Sequence, residues 1–402
     1  MNFTILDGAM GTMLHAAGLD PALPSDTWNT THPERLTAIH ARYAAAGSEV
    51  LFANTFCSNR LNLAKTGRDV AETVESAVLA AREAAKGTGA RVALDIGPLS
   101  RLISPLGDLD FDEATGIFRE MAEAGRRAGA DLAVIETMSD ITEAKAALLG
   151  VREACDLPVW VTMTFDAAGR TYLGASVEAM GIAMQALGAD AVGFNCCLGP
   201  RELLPLVQRL AQWTSRPIIL KPNAGLPDPE TGEYHITPRE FADAAAQAVQ
   251  YGAVMLGGCC GTTPEFIAAL RERLAGMTPQ EGARRIKRGV CSASRHAELA
   301  PGLSLSRAVS ASDPAAIEKA AETADGADVL RVSLDETSTA AALSELSTAC
   351  TVPMALETAS AAVLERVLRP FGGCPLVIPA QGADAAQLRR VCERYGALLA
   401  EE

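Results

Sequence analysis

The strongest constraint on the fold is the alternation, over roughly the first 275 residues, of short apolar runs with longer helical stretches. The apolar runs are rich in Val, Ile and Leu and mostly apolar on both faces, as the strands of a helix-covered parallel sheet are. They are Phe3–Asp7, Glu49–Asn54, Arg91–Ile96, Leu132–Glu136, Val159–Thr164, Ala191–Cys196, Pro217–Pro222 and Ala253–Gly258. Eight such strand–helix units predict an α/β protein with a (β/α)8 TIM barrel. The alternative is a doubly wound sheet, but its glycine-rich phosphate fingerprint does not follow the first strand.

The character of the chain changes after the eighth unit. Residues 1–276 are assigned to the barrel, the polar stretch 277–287 to a linker, and 288–402 to a second, smaller α/β unit of about half-barrel length. Strands in the second unit are predicted at Gly289–Ala293, Val329–Leu334, Met354–Glu357 and Leu376–Ile378. An unclosed half-barrel leaves sheet edges that need covering, which is compatible with a homo-oligomer.

Composition limits the partners and the compartment. The net charge is −14, and a chain this acidic without a dense Lys/Arg patch repels phosphate backbones, so nucleic acid is not expected as a partner. No apolar run approaches the ~20 residues of a membrane span. Met1–Met10 lacks the basic region and cleavage site of a signal peptide. We therefore expect a cytoplasmic protein whose cysteines are thiols or metal ligands and not disulfides.

Three cysteines lie at the carboxyl ends of two predicted strands, which is the face of a barrel where chemistry takes place. Cys196 ends the sixth strand, and the vicinal pair Cys259-Cys260 ends the eighth. Zn²⁺ takes thiolate ligands in tetrahedral geometry, and a catalytic site keeps one position open. Three thiolates and an open position predict a zinc site for a substrate thiol, whose pKa the ion lowers. Buried packing cysteines and a vicinal disulfide at Cys259-Cys260 are the alternatives.

Five motifs in order along residues 1–276 resemble the zinc-dependent homocysteine S-methyltransferase family. They are Leu-Asp-Gly-Ala-Met-Gly-Thr at 6–12, Ala-Asn-Thr-Phe at 53–56, Gly-Phe-Asn-Cys at 193–196, Pro-Asn-Ala-Gly at 222–225 and Gly-Gly-Cys-Cys-Gly-Thr-Thr-Pro at 257–264. The family includes the N-terminal module of cobalamin-dependent methionine synthase, betaine-homocysteine methyltransferase and enzymes that use S-methylmethionine. The resemblance implies a barrel whose zinc holds homocysteine as a thiolate, which attacks a methyl donor to form methionine.

The matching motifs also imply the metal ligands. They place zinc on Cys196, Cys259 and Cys260. Cys197 stands where family members usually carry another residue, and it is expected to be a neighbour of the site. Asn223 matches an Asn that approaches the zinc when substrate is absent; the alternative is that it only orders the Pro-Asn-Ala-Gly turn.

The resemblance implies substrate-binding residues as well. Asp7 and Glu136 match carboxylates that contact the homocysteine ammonium group. The backbone N–H groups of the loop are expected to hold its carboxylate as an anion nest, and this loop is formed by Gly8, Ala9, Met10 and Gly11. Alternatives are a turn role for Asp7 and a pairing of Glu136 with a rim Lys or Arg. Asn54 is expected to brace the rim loops, with substrate contact as its alternative.

The sequence of the second unit indicates which methyl donor is used. Residues 286–402 resemble a shortened folate-binding barrel of methionine synthase, in which Gly326–Leu330 and Pro353–Thr358 echo the strand pattern. The pattern typical of pterin sites is replaced at Val290–Arg295, and no Asp-x-His-x-x-Gly cobalamin pattern occurs in the chain. These differences argue against folate binding in cis and predict methylcobalamin supplied in trans by a separate corrinoid protein.

Two other functions are compatible with the sequence. One is a self-sufficient methyltransferase that uses S-methylmethionine or betaine. The other is a non-catalytic zinc- or thiol-binding module of a larger assembly, which the intact ligand motifs disfavour.

Overall fold

The protein contains an eight-stranded parallel barrel. The computed structural model describes residues 3–228, 230, 231, 234–279, 286–313, 315, 319, 327–339 and 351–400. The barrel strands are β1 (Thr4–Ile5), β2 (Val50–Phe52), β3 (Arg91–Ile96), β4 (Leu132–Met138), β5 (Val159–Met163), β6 (Ala191–Asn195), β7 (Ile218–Lys221) and β8 (Ala253–Leu256). They form one sheet in the order β1-β8-β7-β6-β5-β4-β3-β2, and a bridge between Leu6 and Val50 joins its two ends. The predicted (β/α)8 barrel is confirmed.

Helices surround this sheet, and each strand leads into at least one of them. In chain order they are α1 (Met10–Ala16), α2 (Thr27–Thr31), α3 (Pro33–Ala46), α4 (Arg60–Leu63), α5 (Val70–Ala85), α6 (Phe111–Arg127), α7 (Ile141–Ala154), α8 (Val177–Ala186), α9 (Pro200–Leu210), α10 (Pro238–Ala245) and α11 (Pro264–Leu274). Local sequence sets several starts: Thr237, for example, caps α10 in a reciprocal capping box with Glu240.

The interior of the barrel changes from apolar to polar along the strands. Its lower layers are filled by a cluster of buried side chains made of Leu6, Val50, Phe52, Ala93, Leu132, Val134, Trp160, Ala191 and Ile219. Alternate residues of a strand point to the same face. Further along the strands, inward positions therefore belong to buried polar residues, which are Asp95, Glu136, Thr162, Asn195 and Lys221. This polar layer forms the floor of the barrel mouth.

The second unit contains a smaller parallel sheet, as expected. Its strands run in chain order and are β11 (Val309–Ser310), β12 (Leu330–Ser333), β13 (Met354–Thr358), β14 (Leu376–Pro379) and β15 (Leu398–Leu399). The helices α12 (Ala361–Leu368) and α13 (Ala385–Tyr395) accompany it. The predicted strand near Gly289 is β9 (Gly289–Cys291), which pairs antiparallel with β10 (His296–Glu298) and stays outside this sheet.

A buried lysine joins the second unit to the barrel. Lys145 on α7 is 0% exposed, and its Nζ donates to three backbone carbonyls of the second unit. The acceptors are the oxygens of Leu368 at 2.7 Å, Phe371 at 3.1 Å and Tyr395 at 2.7 Å. Two of them lie at the carboxyl ends of α12 and α13, where helices leave carbonyls without intrahelical partners. The second unit is therefore attached directly to the barrel wall.

Residues 280–285 of the predicted linker lie outside the described residues. Among the helices that the structure describes, none combines the length and the apolar character needed to cross a bilayer.

Candidate metal centre

Three cysteine sulfurs converge at the mouth of the barrel. The Sγ atoms of Cys196, Cys259 and Cys260 all lie within 4.8 Å of one another. The sulfurs of Cys196 and Cys260 are 3.7 Å apart. Two thiolates bound at roughly 2.3 Å to one tetrahedral ion are about 3.8 Å apart, so this spacing fits a single zinc ion. Three sulfur donors leave the fourth tetrahedral position for another ligand.

The end of β7 brings the two cysteine segments together. The N–H of Cys196 donates to the carbonyl of Lys221 at 3.1 Å, and the N–H of Cys259 donates to the carbonyl of Pro222 at 2.7 Å. Cys196 has a φ of 58°, in the left-handed region that costs a non-glycine residue about 1–3 kcal/mol. Surrounding hydrogen bonds hold this conformation, which is typical of functional sites.

Cys197 lies beside this cluster but does not belong to it. Its Sγ accepts from the N–H of Phe165 at 3.2 Å and donates to the carbonyl of the same residue at 2.9 Å. Its sulfur is thus engaged with the β5–α8 loop, as expected for a neighbour of the site.

Asn223 contacts the cluster from the end of β7. The thiols of Cys259 and Cys260 and the side chain of Asn223 hydrogen-bond to Cys196, and they lower the pKa of the Cys196 thiol. The Oδ1 atom of Asn223 is buried and has no hydrogen-bond partner among the described residues. This unpartnered amide oxygen, on a side chain that contacts Cys196, is available as a further metal ligand. The donor set fits a thiolate-rich zinc site.

The acidic residues of the mouth surround one lysine that the sequence analysis did not assign. Asp7 accepts from the N–H of Phe52 at 2.7 Å and from Nζ of Lys221 at 3.1 Å. Oε2 of Glu136 lies 3.9 Å from the same Nζ. Nζ also sits 3.4 Å from the centroid of the Phe52 ring, a cation–π contact. The sequence did contain one sign of a role for Lys221, since this charged residue stands at an inward position of a mostly apolar strand.

Desolvation is the largest single influence on the pKa of each charged residue in this floor. Desolvation raises the pKa of Asp7, and it raises the pKa of Glu136 to about 6 although Lys221 acts in the opposite direction. Asp95, which follows the same inward pattern on β3, has a pKa raised by desolvation and by the nearby Glu136. Desolvation opposes the charge of Lys221, but Asp7 and Glu136 outweigh it and raise the pKa of that lysine.

The loop between β1 and α1 packs against the Cys259-Cys260 segment. The N–H of Ala9 donates to Oγ1 of Thr262 at 3.2 Å, and the hydroxyl of Tyr43 donates to the carbonyls of Ala9 and Thr262. A Cβ on Gly8 would come within 2.8 Å of Thr262 Oγ1, so this close approach requires glycine. The loop predicted to hold a carboxylate is therefore fixed beside the cysteines, with Met10 half-buried and Gly11 exposed.

Two buried asparagines brace the rim. Asn54 donates to the carbonyl of Ser25 at 2.9 Å and to Oδ1 of Asn29 at 2.7 Å, which is the bracing arrangement expected of it. Asn195, which had no assigned role, accepts from the N–H of Thr137 at 2.8 Å and from the hydroxyl of Thr162 at 2.9 Å. These bonds tie together the ends of β4, β5 and β6 around the site.

Comparison with known proteins identifies a family model and relatives that match the chain. The family model for homocysteine S-methyltransferase matches residues 4–274. Methionine synthase of Mycobacterium tuberculosis is 30% identical over 415 residues, which cover 91% of this chain and 34% of that protein. Methionine synthase of Mycobacterium leprae is 34% identical over 294 residues, which cover 67% of this chain and 24% of that protein. The chain thus spans about a third or less of the length of these two relatives.

Solved structures share the barrel. The oxidized form of the homocysteine methyltransferase MmuM from Escherichia coli is 25% identical with a TM-score of 0.59, and the match covers 68% of this chain and 96% of that one. The metallated form of the same protein is 24% identical, also with a TM-score of 0.59 and the same coverage.

Proposed function

This chain belongs to the homocysteine S-methyltransferase family, and we propose that it is a zinc-dependent enzyme that methylates homocysteine to methionine. By family it is a methyltransferase. The observation that carries the proposal is the convergence of three sulfurs, from Cys196, Cys259 and Cys260, within 4.8 Å of one another. When bound there, zinc would lower the pKa of a thiol ligand and keep homocysteine as its thiolate.

The residues of the chain bind and orient the amino acid. The acidic floor, which contains Asp7 and Glu136, would face the ammonium group. Backbone N–H groups of residues 8–11 would hold the carboxylate, apart from that of Ala9, which donates to Oγ1 of Thr262. Asn223 would ligate the metal when homocysteine is absent. The reaction forms a bond between the homocysteine sulfur and the methyl carbon while the bond from that carbon to the donor breaks, and the thiol proton leaves to solvent.

For the donor, we propose methylcobalamin carried by a separate corrinoid protein. Similarity to methionine synthase of M. tuberculosis extends over 91% of the chain and so includes the second unit. That unit would dock the partner. The hairpin of β9 and β10 occupies the segment where a pterin site would begin, which disfavours folate binding in cis.

The alternative donor is a small molecule, S-methylmethionine or betaine. The likeness to E. coli homocysteine methyltransferase favours a self-sufficient enzyme, because the match covers 96% of that chain and only 68% of this one. That solved homocysteine methyltransferase therefore has little chain beyond the barrel.

One assay separates these possibilities. Zinc-loaded protein and homocysteine would be incubated with methylcobalamin, S-methylmethionine or betaine, and methionine would be measured. Turnover with methylcobalamin is expected. Turnover only with a small donor would overturn the corrinoid proposal, and no turnover with any donor or corrinoid protein would favour a non-catalytic thiol-binding module.

We also propose the domain limits given by the sequence, 1–276, 277–287 and 288–402. The end of α11 at Leu274 and the start of β9 at Gly289 support them. The edges of the second sheet, β11 and β15, are compatible with a homo-oligomer, which light scattering would measure.

A further inference from the structure

A tyrosine from the loop between β7 and α10 covers one of the three cysteines. The ring of Tyr234 lies directly on Gly261, where a Cβ atom would stand 2.5 Å from the nearest ring carbons. The hydroxyl of Tyr234 donates a hydrogen bond to the sulfur of Cys260. A side chain at Gly261 would prevent this approach, so the glycine after the cysteine pair seats an aromatic ring beside a sulfur.

Both ends of this loop are anchored. The N–H of Ala224 donates to the carbonyl of Cys260 at 2.8 Å, so the loop is bound to the cysteine segment as soon as it leaves β7. At its other end, Thr237 caps α10 through reciprocal hydrogen bonds with Glu240. Tyr234 lies shortly before this cap, and its half-buried side chain packs against the core. The position of its hydroxyl is therefore set by the fold.

A site with three cysteine thiolates faces a problem of selectivity. The sulfurs of Cys196, Cys259 and Cys260 are nucleophiles of the same kind as a substrate thiolate, and all three residues are partly exposed. Methylation of a cysteine would form a bond between its sulfur and the methyl carbon while the bond from that carbon to the donor breaks. The product is a neutral thioether in place of the thiolate that zinc takes as a ligand, so each such event would damage the site.

A hydrogen bond to a thiolate lowers its reactivity. The donor stabilises the charged sulfur more than the neutral thioether that methylation produces. The barrier to attack rises by the stabilisation that is lost, and one charge-assisted hydrogen bond corresponds to roughly a tenfold change in rate. Groups that contact a metal ligand adjust its electron density in this way.

We propose that Tyr234 is a positioning residue that protects Cys260 from methylation, so that the methyl group goes to the substrate thiolate. This inference rests on the proposed function, because protection matters only where a methyl donor meets ligand thiolates. Tyr234 holds its proton at the sulfur of Cys260 and takes no other part in methyl transfer.

Alkylation by methyl iodide tests the proposal on the zinc-loaded protein in the absence of homocysteine. Methyl iodide supplies the methyl group, iodide leaves, and tandem mass spectrometry gives the rate at each of the three cysteines. Tyr234→Phe keeps the ring and removes the hydroxyl, so Cys260 should be methylated roughly tenfold faster than in wild type. The rates at Cys196 and Cys259 should stay within about threefold.

A spectroscopic measurement separates the hydrogen bond from a loosened loop. Cobalt(II) binds to sites of this kind, and its sulfur-to-metal charge-transfer band reports the electron density of the thiolate ligands. The band of the cobalt-loaded protein should move to longer wavelength in Tyr234→Phe, because a sulfur without a hydrogen-bond donor gives up electrons more easily. A loop that only becomes mobile would leave the band in place, and that result would refute the assignment.

Tyr172→Phe is the matched control. Tyr172 is 92% exposed on the loop that follows β5, so the loss of its hydroxyl should change neither the rates nor the band. If Tyr234→Phe does not fold or does not bind zinc, Tyr234→Leu, which removes the ring as well, gives the same decision.

The outcomes separate this inference from the proposed function. An unchanged rate at Cys260 in the Tyr234 variant, or an equal rise at all three cysteines, would overturn the inference while the proposed function stands. Faster methylation of Cys260 in the variant, beside a wild type that forms no methionine with any donor, would support the hydrogen bond and overturn the proposed function. Failure of wild type to bind zinc would overturn both.

Discussion

At the scale of single residues, the site depends on strained backbone held by side chains. Thr137, Cys196 and Cys197 have φ values of 63°, 58° and 53°, which are uncommon for residues with a Cβ. The side chain of Asn195 accepts from the N–H of Thr137 and donates to its hydroxyl. The N–H of Cys196 donates to the carbonyl of Lys221 on β7. The strain is therefore distributed around the cysteines and the adjacent Glu136.

Loss of one ligand should remove the metal without unfolding the barrel. We expect Cys259→Ser to lose zinc and methyl transfer, because a serine hydroxyl is a poor zinc ligand and the site lies above the apolar core. Metal analysis and circular dichroism would measure this. Cys197→Ala is the matched control, since its sulfur bonds to Phe165, and it should keep most of the zinc. Full metal content in Cys259→Ser would contradict the assignment.

Asn195 should contribute strongly to stability. Asn195→Ala removes its hydrogen bonds to Thr137 and Thr162 in a position that is 0% exposed, so we expect a loss of about 2–3 kcal/mol in the free energy of unfolding. Urea titration would measure it. Asn62→Ala, which removes one half-buried bond to the carbonyl of Cys57, should cost less than about 1 kcal/mol. Equal costs would show that Asn195 does not brace the strand ends.

Recognition of the ammonium group should weaken in acid. The pKa of Glu136 is raised to about 6 by desolvation, so the carboxylate takes up a proton as the pH falls through that value and no longer pairs with an ammonium group. The ratio of the affinity for homocysteine to that for 4-mercaptobutyrate, which shares the thiol, the chain and the carboxylate but has no amine, should therefore rise with pH through about 6 and then level off. Using the ratio cancels the ionisation of the thiol. Glu136→Gln should make the ratio depend less on pH in this range.

At the scale of elements, one side chain fastens the second unit. Lys145→Met should remove three hydrogen bonds, two to the carbonyls of Leu368 and Tyr395 at the ends of α12 and α13 and one to that of Phe371. We expect faster amide exchange across residues 361–395 with unchanged exchange in β3 to β6, because only the attachment is weakened. Lys86→Met, at an exposed ion pair with Glu83, is the control and should leave both regions unchanged. Unchanged exchange in Lys145→Met would show that the apolar contacts suffice.

At the scale of the whole molecule, metal and stability should be linked. An ion that binds only the folded state stabilises it by about 2.7 kcal/mol at a free concentration of 100 times its Kd. Chelation should therefore lower the thermal midpoint by several degrees without abolishing the barrel, whose core lies below the site. Calorimetry with and without zinc would measure this shift. Cys259→Ser should show none, and an equal shift in that variant would place the ion elsewhere.

Much of the barrel followed from the sequence. Predicted β3 matches the observed Arg91–Ile96, and the other barrel strands lie at the predicted places with ends displaced by a few residues. This success has a physical cause, since strands buried on both faces leave long apolar runs. The two-residue strands β11 and β15 were not predicted, because so short a stretch carries no periodicity.

The sequence by itself determined which residues end the barrel strands, and so it placed Cys196, Cys259 and Cys260 on one rim. Their metal-binding role stays a prediction. Only the tertiary structure decided that Lys221 pairs with Asp7, that Asp95 and Glu136 keep free oxygens, and that Lys145 enters the second unit. Strand position is set by local periodicity, whereas distances between side chains of different strands depend on how the sheet closes and on its register.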